Sequence, residues 1–337
     1  MLMVIFGAGA SFDSFERLRF PNVNEYRLPL ANQLFDSRFG DYYQLFPKCQ
    51  PLIQRLQRPG INVEHVLENF QGDAIRYSPR LIQLASVRYY LNFMLARCQA
   101  DWTSAVTKGV TNYQTMLDQI AEQIPGETVC LVTFNYDTLL EHAIVDIGIR
   151  LSTIADYTTS EFKVVKLHGS INWAHPIRDF KAQRTTSQEL IGDIIERARR
   201  IDIDDTSYEM VSDNPFERPP RPFFPALAIP VQTKQRYECP QEQKLALAQC
   251  LPQVTKVLVI GWQANENLFL DTMAQGLVKK ARIMVVSGTE KGAKEVIARI
   301  MAGLGTTKIA HDFEAAKPGF SEFIFSSEWE DFLRAKS

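Results

Sequence analysis

The chain has 337 residues, 45% of them hydrophobic and 23% charged, and a formal net charge of −2 at pH 7. That is an ordinary globular composition with ample core-forming material, and it leaves no global electrostatic case for a nucleic-acid partner. The five cysteines, Cys49, Cys98, Cys130, Cys239 and Cys250, include no C-x-x-C pair, which argues against a zinc ribbon and against a disulfide scaffold.

The N-terminal "MLMVIFGAGASF" lacks a basic leader and a small-residue cleavage pattern. No apolar run reaches the roughly 18 residues that a membrane span needs. A reduced, cytoplasmic protein with no membrane binding and no direct nucleic-acid binding is expected. "MVIFGAG" itself reads as a short, wholly apolar strand running into a glycine turn. Residues 26–125 follow as a mostly helical block, because "NVEHVLENF" and "PRLIQLASVRYYLNFMLARC" carry apolar residues at helical spacing. "TVCLVTFN", "KVVKLHGS", "KVLVIGW" and "ARIMVVSG" then repeat the opening design, a compact apolar run ending in Gly, Asn or His. Residues 178–221 interrupt the series with an amphipathic helix, "SQELIGDIIERARR", and an acidic then proline-rich loop. "GFSEFIFSSEWEDFLRA" reads as a closing helix. The expected fold is α/β: a Rossmann-like parallel sheet with helices on both faces and a helical insert subdomain. The expected organisation is one domain over residues 1–337, with the insert at 26–125 and a variable loop and helix insertion at 178–221.

In such sheets ligands bind outside the carboxyl ends of the strands, and the unusual residues of this chain fall there. "FGAGAS" offers Gly7, Ala8, Gly9 and Ser11 as a turn that lets a phosphate approach backbone N–H groups. A plain strand-to-helix turn uses the same residues, and Phe12 stands where the dehydrogenase fingerprint has its third glycine. Asn135 and Asp137 follow a buried strand directly, either as cap residues or as ligand contacts. His168 precedes Gly169 at another strand end, where a histidine is either packed or poised as a general base near neutral pH. Gly261 and Trp262 open one late turn, and Ser287 and Gly288 another. These turns suit an adenosine ribose and its base, although each alone is compatible with an ordinary cap. His65 and His175 read as structural.

Taken in order, GAGAS, TFNYD, LHGS, an I-G turn and VSGT resemble the sirtuin NAD-binding core, whose matching elements are GAG-x-S, T-Q-N-x-D and L-H-G. The sequence looks most like the sirtuin-like branch of bacterial anti-phage defence proteins, with its N-Y-D, its L-H-G-S and a helical insert after the first glycine loop. The resemblance spans about residues 4–38 and 126–290. It lacks the two C-x-x-C pairs of the deacylase zinc module, and "RFPN" at 19–22 is a poor match to the sirtuin P-D-F-R stretch. The resemblance implies an NAD+ hydrolase releasing nicotinamide and ADP-ribose, with NAD+ as substrate and no metal. It implies backbone N–H groups of Gly7, Ala8, Gly9 and Ser11 on the pyrophosphate. Asn135 would hold the ribose and position water, Asp137 would accept from the carboxamide, and His168 would be the general base. Asp13 and Arg17 become further candidates to face nicotinamide or phosphate. The branch also implies NAD+ depletion during infection, restrained in a homo-oligomer or by a partner such as a HerA-type hexameric ATPase. Two alternatives stand beside it. An NAD-dependent protein deacylase is disfavoured by the missing cysteine pairs. A non-catalytic NAD or ADP-ribose sensor is disfavoured by the presence of both Asn135 and His168.

Overall fold

A computed structural model describes residues 1–15, 26–58, 60–74, 76–105, 110–181, 186–218, 221–231, 236–305, 308–316 and 319–334. Its centre is the strand β1 (Leu2–Phe6), every residue of which is buried. A strand apolar at every position must be covered on both faces. Leu2, Val4 and Phe6 turn into one core and Met3 and Ile5 into another, as the two-residue period of a strand requires. The first core is closed by α6 (Asn112–Gln123) and α7 (Leu139–Asp146), and the second by α9 (Gln241–Cys250), α10 (Asn267–Gly276) and α11 (Glu290–Leu304).

The sheet has six parallel strands. Besides β1 these are β2 (Val129–Thr133), β3 (Phe162–Lys166), β8 (Lys256–Ile260), β9 (Ala281–Val286) and β10 (Ile309–Ala315), in the spatial order β10-β9-β8-β1-β2-β3. The chain therefore winds outward from β1 in one direction and then in the other. This is the Rossmann-like arrangement, with its topological switch point beside β1. Register then sets the site. Phe6 is level with Thr133 on one side and with Ile260 on the other. The residues just past three strand ends, Gly7, Phe134 and Gly261, are thereby brought into one row.

Five of the six strands are those expected from their apolar runs; β10 is not among them. Its sequence, IAHDFEA, mixes charge with apolar residues, which an edge position tolerates. The expected closing helix is corrected to two short ones, α12 (Phe320–Phe323) and α13 (Ser327–Arg334). A second, antiparallel layer was also not anticipated. β4 (Gly169–Arg178) pairs with β5 (Asp202–Ile203), β6 (Glu209–Met210) and β7 (Phe223–Leu227).

Between α1 (Ala8–Phe12) and α6 the chain forms α2 (Gly40–Gln44), α3 (Gln50–Leu56), α4 (Val63–Ala74) and the 27-residue α5 (Pro79–Ala105). Leu52, Leu67, Tyr90 and Met94 from these helices share a third core with Ile194 of α8 (Ser187–Glu196) and Phe224 of β7. Residues 211–218 form a loop anchored to the body of the fold. The buried Arg218 donates to Asn92 Oδ1 and to Ile171 O, each at 2.8 Å.

Candidate functional site

A cavity of about 660 Å³ lies across the carboxyl edge of the sheet, a size typical of small-molecule sites. Gly7, Ala8, Gly9 and Ser11 line it just after β1, Asn135 and Asp137 after β2, and His168 after β3. Gly261 and Trp262 line it after β8, and Ser287 and Gly288 after β9. Every residue picked from the strand ends thus meets in one place. The opposite wall comes from the helical block, including Leu30, Leu34, Glu64 and Leu95, which sequence reasoning did not find. Leu95 reads as a core-facing helix position, Leu30 and Leu34 flank a short turn and Glu64 reads as a surface acid, and only the tertiary packing turns them toward the cavity.

Asn135 is held by its amide nitrogen. Nδ2 donates to Gly7 O at 3.0 Å and to Ser11 Oγ at 3.0 Å, with Tyr113 Oη at 3.3 Å. A backbone carbonyl can only accept, so the orientation of the amide is defined by its partner. Oδ1 is then the atom left for a ligand. Tyr113 comes from α6 and its hydroxyl also lies 2.9 Å from Ser11 Oγ; nothing in its local sequence marks it as a site residue.

The glycine loop corrects one expectation. The Gly7 amide donates to Ile260 O at 3.0 Å and the Gly9 amide to Gly261 O at 3.1 Å, so neither is free for phosphate. The Ser11 hydroxyl is likewise drawn into the Asn135 network. Ala8 is the loop residue whose amide has no partner among the described residues. The glycines are there for packing: a Cβ on Gly7 would lie 2.5 Å from Trp262 Cα, and one on Gly9 2.8 Å from Gly261 Cα. Gly261 has φ +63° and its Cβ would lie 2.3 Å from the Ala10 nitrogen. Gly261→Ala combines backbone strain with a backbone clash. It is expected to destabilise the fold by about 3 kcal/mol or more, read as a lowered denaturation midpoint.

Asp137 is buried, and its Oδ1 accepts from Leu139 N at 3.2 Å. It bonds the first residue of α7 from just outside the helix and also lines the cavity. Burial pushes its carboxyl above the usual carboxylate range, with the charge of Lys166 opposing. A carboxyl whose folded pKa is raised costs stability once pH exceeds the unfolded value, and that cost vanishes below it. Asp137→Asn is therefore expected to raise the thermal midpoint at pH 7, with the gain shrinking as pH falls toward about 4. Thermal scans across that range check it.

The loop carrying Asn135 and Asp137 is clamped from below. The fully buried Lys166 donates from Nζ to Asp137 O at 2.5 Å and pairs with Glu141 Oε1 at 2.7 Å. Gln99 of α5 accepts from Thr138 N at 2.6 Å and donates to Thr138 Oγ1 at 2.7 Å and Asp213 Oδ2 at 2.8 Å.

His168 is buried with its ring edge-on to Phe134 at 4.9 Å, and Phe134 stacks on Trp262 at 5.2 Å. The Trp262 indole thus belongs to an aromatic stack behind the site and donates from Nε1 to Glu266 Oε2 at 2.5 Å. Gly169, expected to leave room beside the His168 ring, is required for another reason. At φ +78° its Cβ would sit 1.9 Å from Ala226 O of β7. Main-chain bonds fix the segment further, from Ala228 N to His168 O at 3.0 Å and from Glu238 N to Leu167 O at 3.1 Å.

Gly288 faces open space, and Thr289 caps α11 by accepting from Gly292 N at 3.0 Å. Asp13 lines the cavity but is engaged by Ser321 N at 3.1 Å and by Arg27 at 3.8 Å. Arg17 lies outside the described residues. His175 is outside the cavity wall, buried between Ser207 O and Glu238 Oε1, each 2.8 Å away, and His65 is exposed on α4. Among the described residues no group of three or more His, Cys, Asp or Glu is placed to hold a metal ion. Among them, too, no helix is long and apolar enough to cross a membrane.

No protein-family model matches the chain, and none of the curated proteins matches it. Solved structures do. A Sir2–p53 peptide–NAD+ complex is 14% identical, with 96% of this chain and 90% of that one covered and a TM-score of 0.39. A Sir2 homolog–NAD complex is 14% identical, with 99% and 89% covered and a TM-score of 0.39. At such values the likeness decides nothing about chemistry, and the fold rests on the sheet itself.

Proposed function

We propose that the chain is an NAD+ glycohydrolase, taking NAD+ and water to nicotinamide, ADP-ribose and a proton. The observation that carries this reading is the Asn135 amide, tied through Nδ2 to Gly7 O and Ser11 Oγ, in the same cavity as His168. The cavity also sits at the switch point of a doubly wound sheet, where such folds take nucleotides.

Breaking the nicotinamide–ribose bond develops positive charge on the ribose ring, so the protein must hold the substrate, orient water and take a proton. In this reading Asn135 Oδ1 accepts from a ribose hydroxyl or from the attacking water. His168 takes the proton as oxygen bonds to C1′, and the electron pair of the broken bond leaves with nicotinamide. Asp137 faces the carboxamide. The Ala8 amide takes the pyrophosphate, and Ser287 and Gly288 receive the adenosine ribose. A dry aromatic stack behind His168 limits competing water.

The test is nicotinamide release by the purified protein. His168→Ala is expected to lower kcat by about 10²–10⁴-fold, the range for losing a general base. Equal turnover by this variant would remove His168 from the mechanism. The same reading assigns the reaction to NAD+ depletion in anti-phage defence, restrained by homo-oligomerisation or by a HerA-type ATPase; its support is the motif order GAGAS, NYD and LHGS. Mass measurement in solution, with and without such a partner, tests the restraint.

A further inference from the structure

Asp13, Glu64, Asp137 and Glu266 are the carboxylates that line the cavity, and no Lys or Arg among the described residues lines it. Three of these acids are engaged. Asp13 is held by Ser321 and Arg27, Asp137 by Leu139 N, and Glu266 by Trp262 Nε1. Glu64 has no hydrogen-bond or ion-pair partner among the described residues. It stands in the first turn of α4, whose Val63, Val66, Leu67 and Phe70 are buried in the helical core. The helix is thus fixed by its apolar face while Glu64, half-buried, lines the cavity.

Glu64 shares the cavity wall with Tyr136 and His168. The Glu64 charge acts on the Tyr136 phenol, which burial chiefly, then Glu64 and Glu266, hold above the ordinary range. The Tyr136 ring lies 6.1 Å from that of His168. An uncompensated negative charge in a partly desolvated cavity suits a cationic group, and it acts most strongly where positive charge sits or grows.

Resting on the glycohydrolase reading, we propose that Glu64 is a further catalytic residue. Its carboxylate faces the nicotinamide–ribose junction, attracts the cationic pyridinium of NAD+ and stabilises the charge that moves onto the ribose as the bond breaks. The helical block would then complete the active site instead of merely covering it.

Glu64→Gln keeps the shape and removes the charge, and Glu68→Gln, one turn along the same helix and off the cavity wall, is its control. Two readouts are taken. In turnover, Glu64→Gln is expected to lower kcat about 100-fold, Glu64→Asp less, and Glu68→Gln within about 2-fold of wild type. In binding, measured by calorimetry in the His168→Ala background so that NAD+ is not consumed, with NAD+ and with NADH, whose nicotinamide ring is uncharged, the protein with Glu64 is expected to prefer NAD+ by about 10-fold, and Glu64→Gln to lose that preference. If Glu64→Gln turns over like wild type and keeps its NAD+ preference, the assignment of Glu64 is overturned even though Asn135→Ala is inactive. If wild type releases no nicotinamide either alone or with a HerA-type ATPase present, the glycohydrolase reading fails and the catalytic part of this inference with it. The binding preference would still decide whether Glu64 faces the charged ring.

Discussion

Asn135→Ala is expected to lower nicotinamide release from NAD+ by about 10³-fold or more, the scale seen when an oriented polar group at a reacting centre is lost. The same substitution leaves Gly7 O and Ser11 Oγ without their shared donor. A stability loss of about 1–3 kcal/mol should accompany it, as for a buried polar group deprived of its partner. Two neighbours separate the effects. Tyr113→Phe removes the 3.3 Å contact and keeps Oδ1 in place, so it should cost stability with at most about a 10-fold loss of activity. Ser11→Ala should behave similarly, since Gly7 O still orients the amide. If either variant is as inactive as Asn135→Ala, the network would matter more than Oδ1. Kinetics and denaturation midpoints on all three variants check this.

Lys166→Met is expected to be the most damaging substitution for the fold. It preserves much of the side-chain volume but removes the ammonium that serves both Asp137 O and Glu141 Oε1. Among the described residues Glu141 Oε2 already lacks a hydrogen-bond partner, and the carboxylate would keep from them Tyr157 alone, at 3.3 Å. Breaking a buried pair from one side costs about 3–5 kcal/mol, whereas replacing both partners by apolar groups is often close to neutral. The double variant Lys166→Met with Glu141→Leu should therefore recover most of the lost stability. Denaturant midpoints for the two single variants and the double one give the coupling directly. Failure of the double variant to recover would show that Lys166 acts mainly through the loop carbonyl of Asp137.

The central sheet was legible because strands buried on both faces read as unbroken apolar runs, as in LMVIF and VCLVT. The antiparallel layer was not, since Ala174 to Pro176 of β4 pair with residues about fifty positions away in β7 and nothing local records that contact. β10 escaped notice as an edge strand with a mixed pattern. Site residues at the strand ends could be found because the carboxyl edge of a parallel sheet is where a chain reverses and where polar groups gather. Tyr113, Gln99 and Glu64 could not, because they come from helices whose facing depends on packing. The glycines were found for an incomplete reason. Gly7, Gly9 and Gly169 are required by backbone approaching backbone, which a motif cannot distinguish from a phosphate loop.

The measurement that bears most directly on the account is release of nicotinamide from NAD+ by the purified chain, compared between wild type, Asn135→Ala and His168→Ala. The account predicts stoichiometric nicotinamide and ADP-ribose from wild type and at least about a 100-fold slower release from both variants. Wild-type release that persists unchanged in both variants would contradict it.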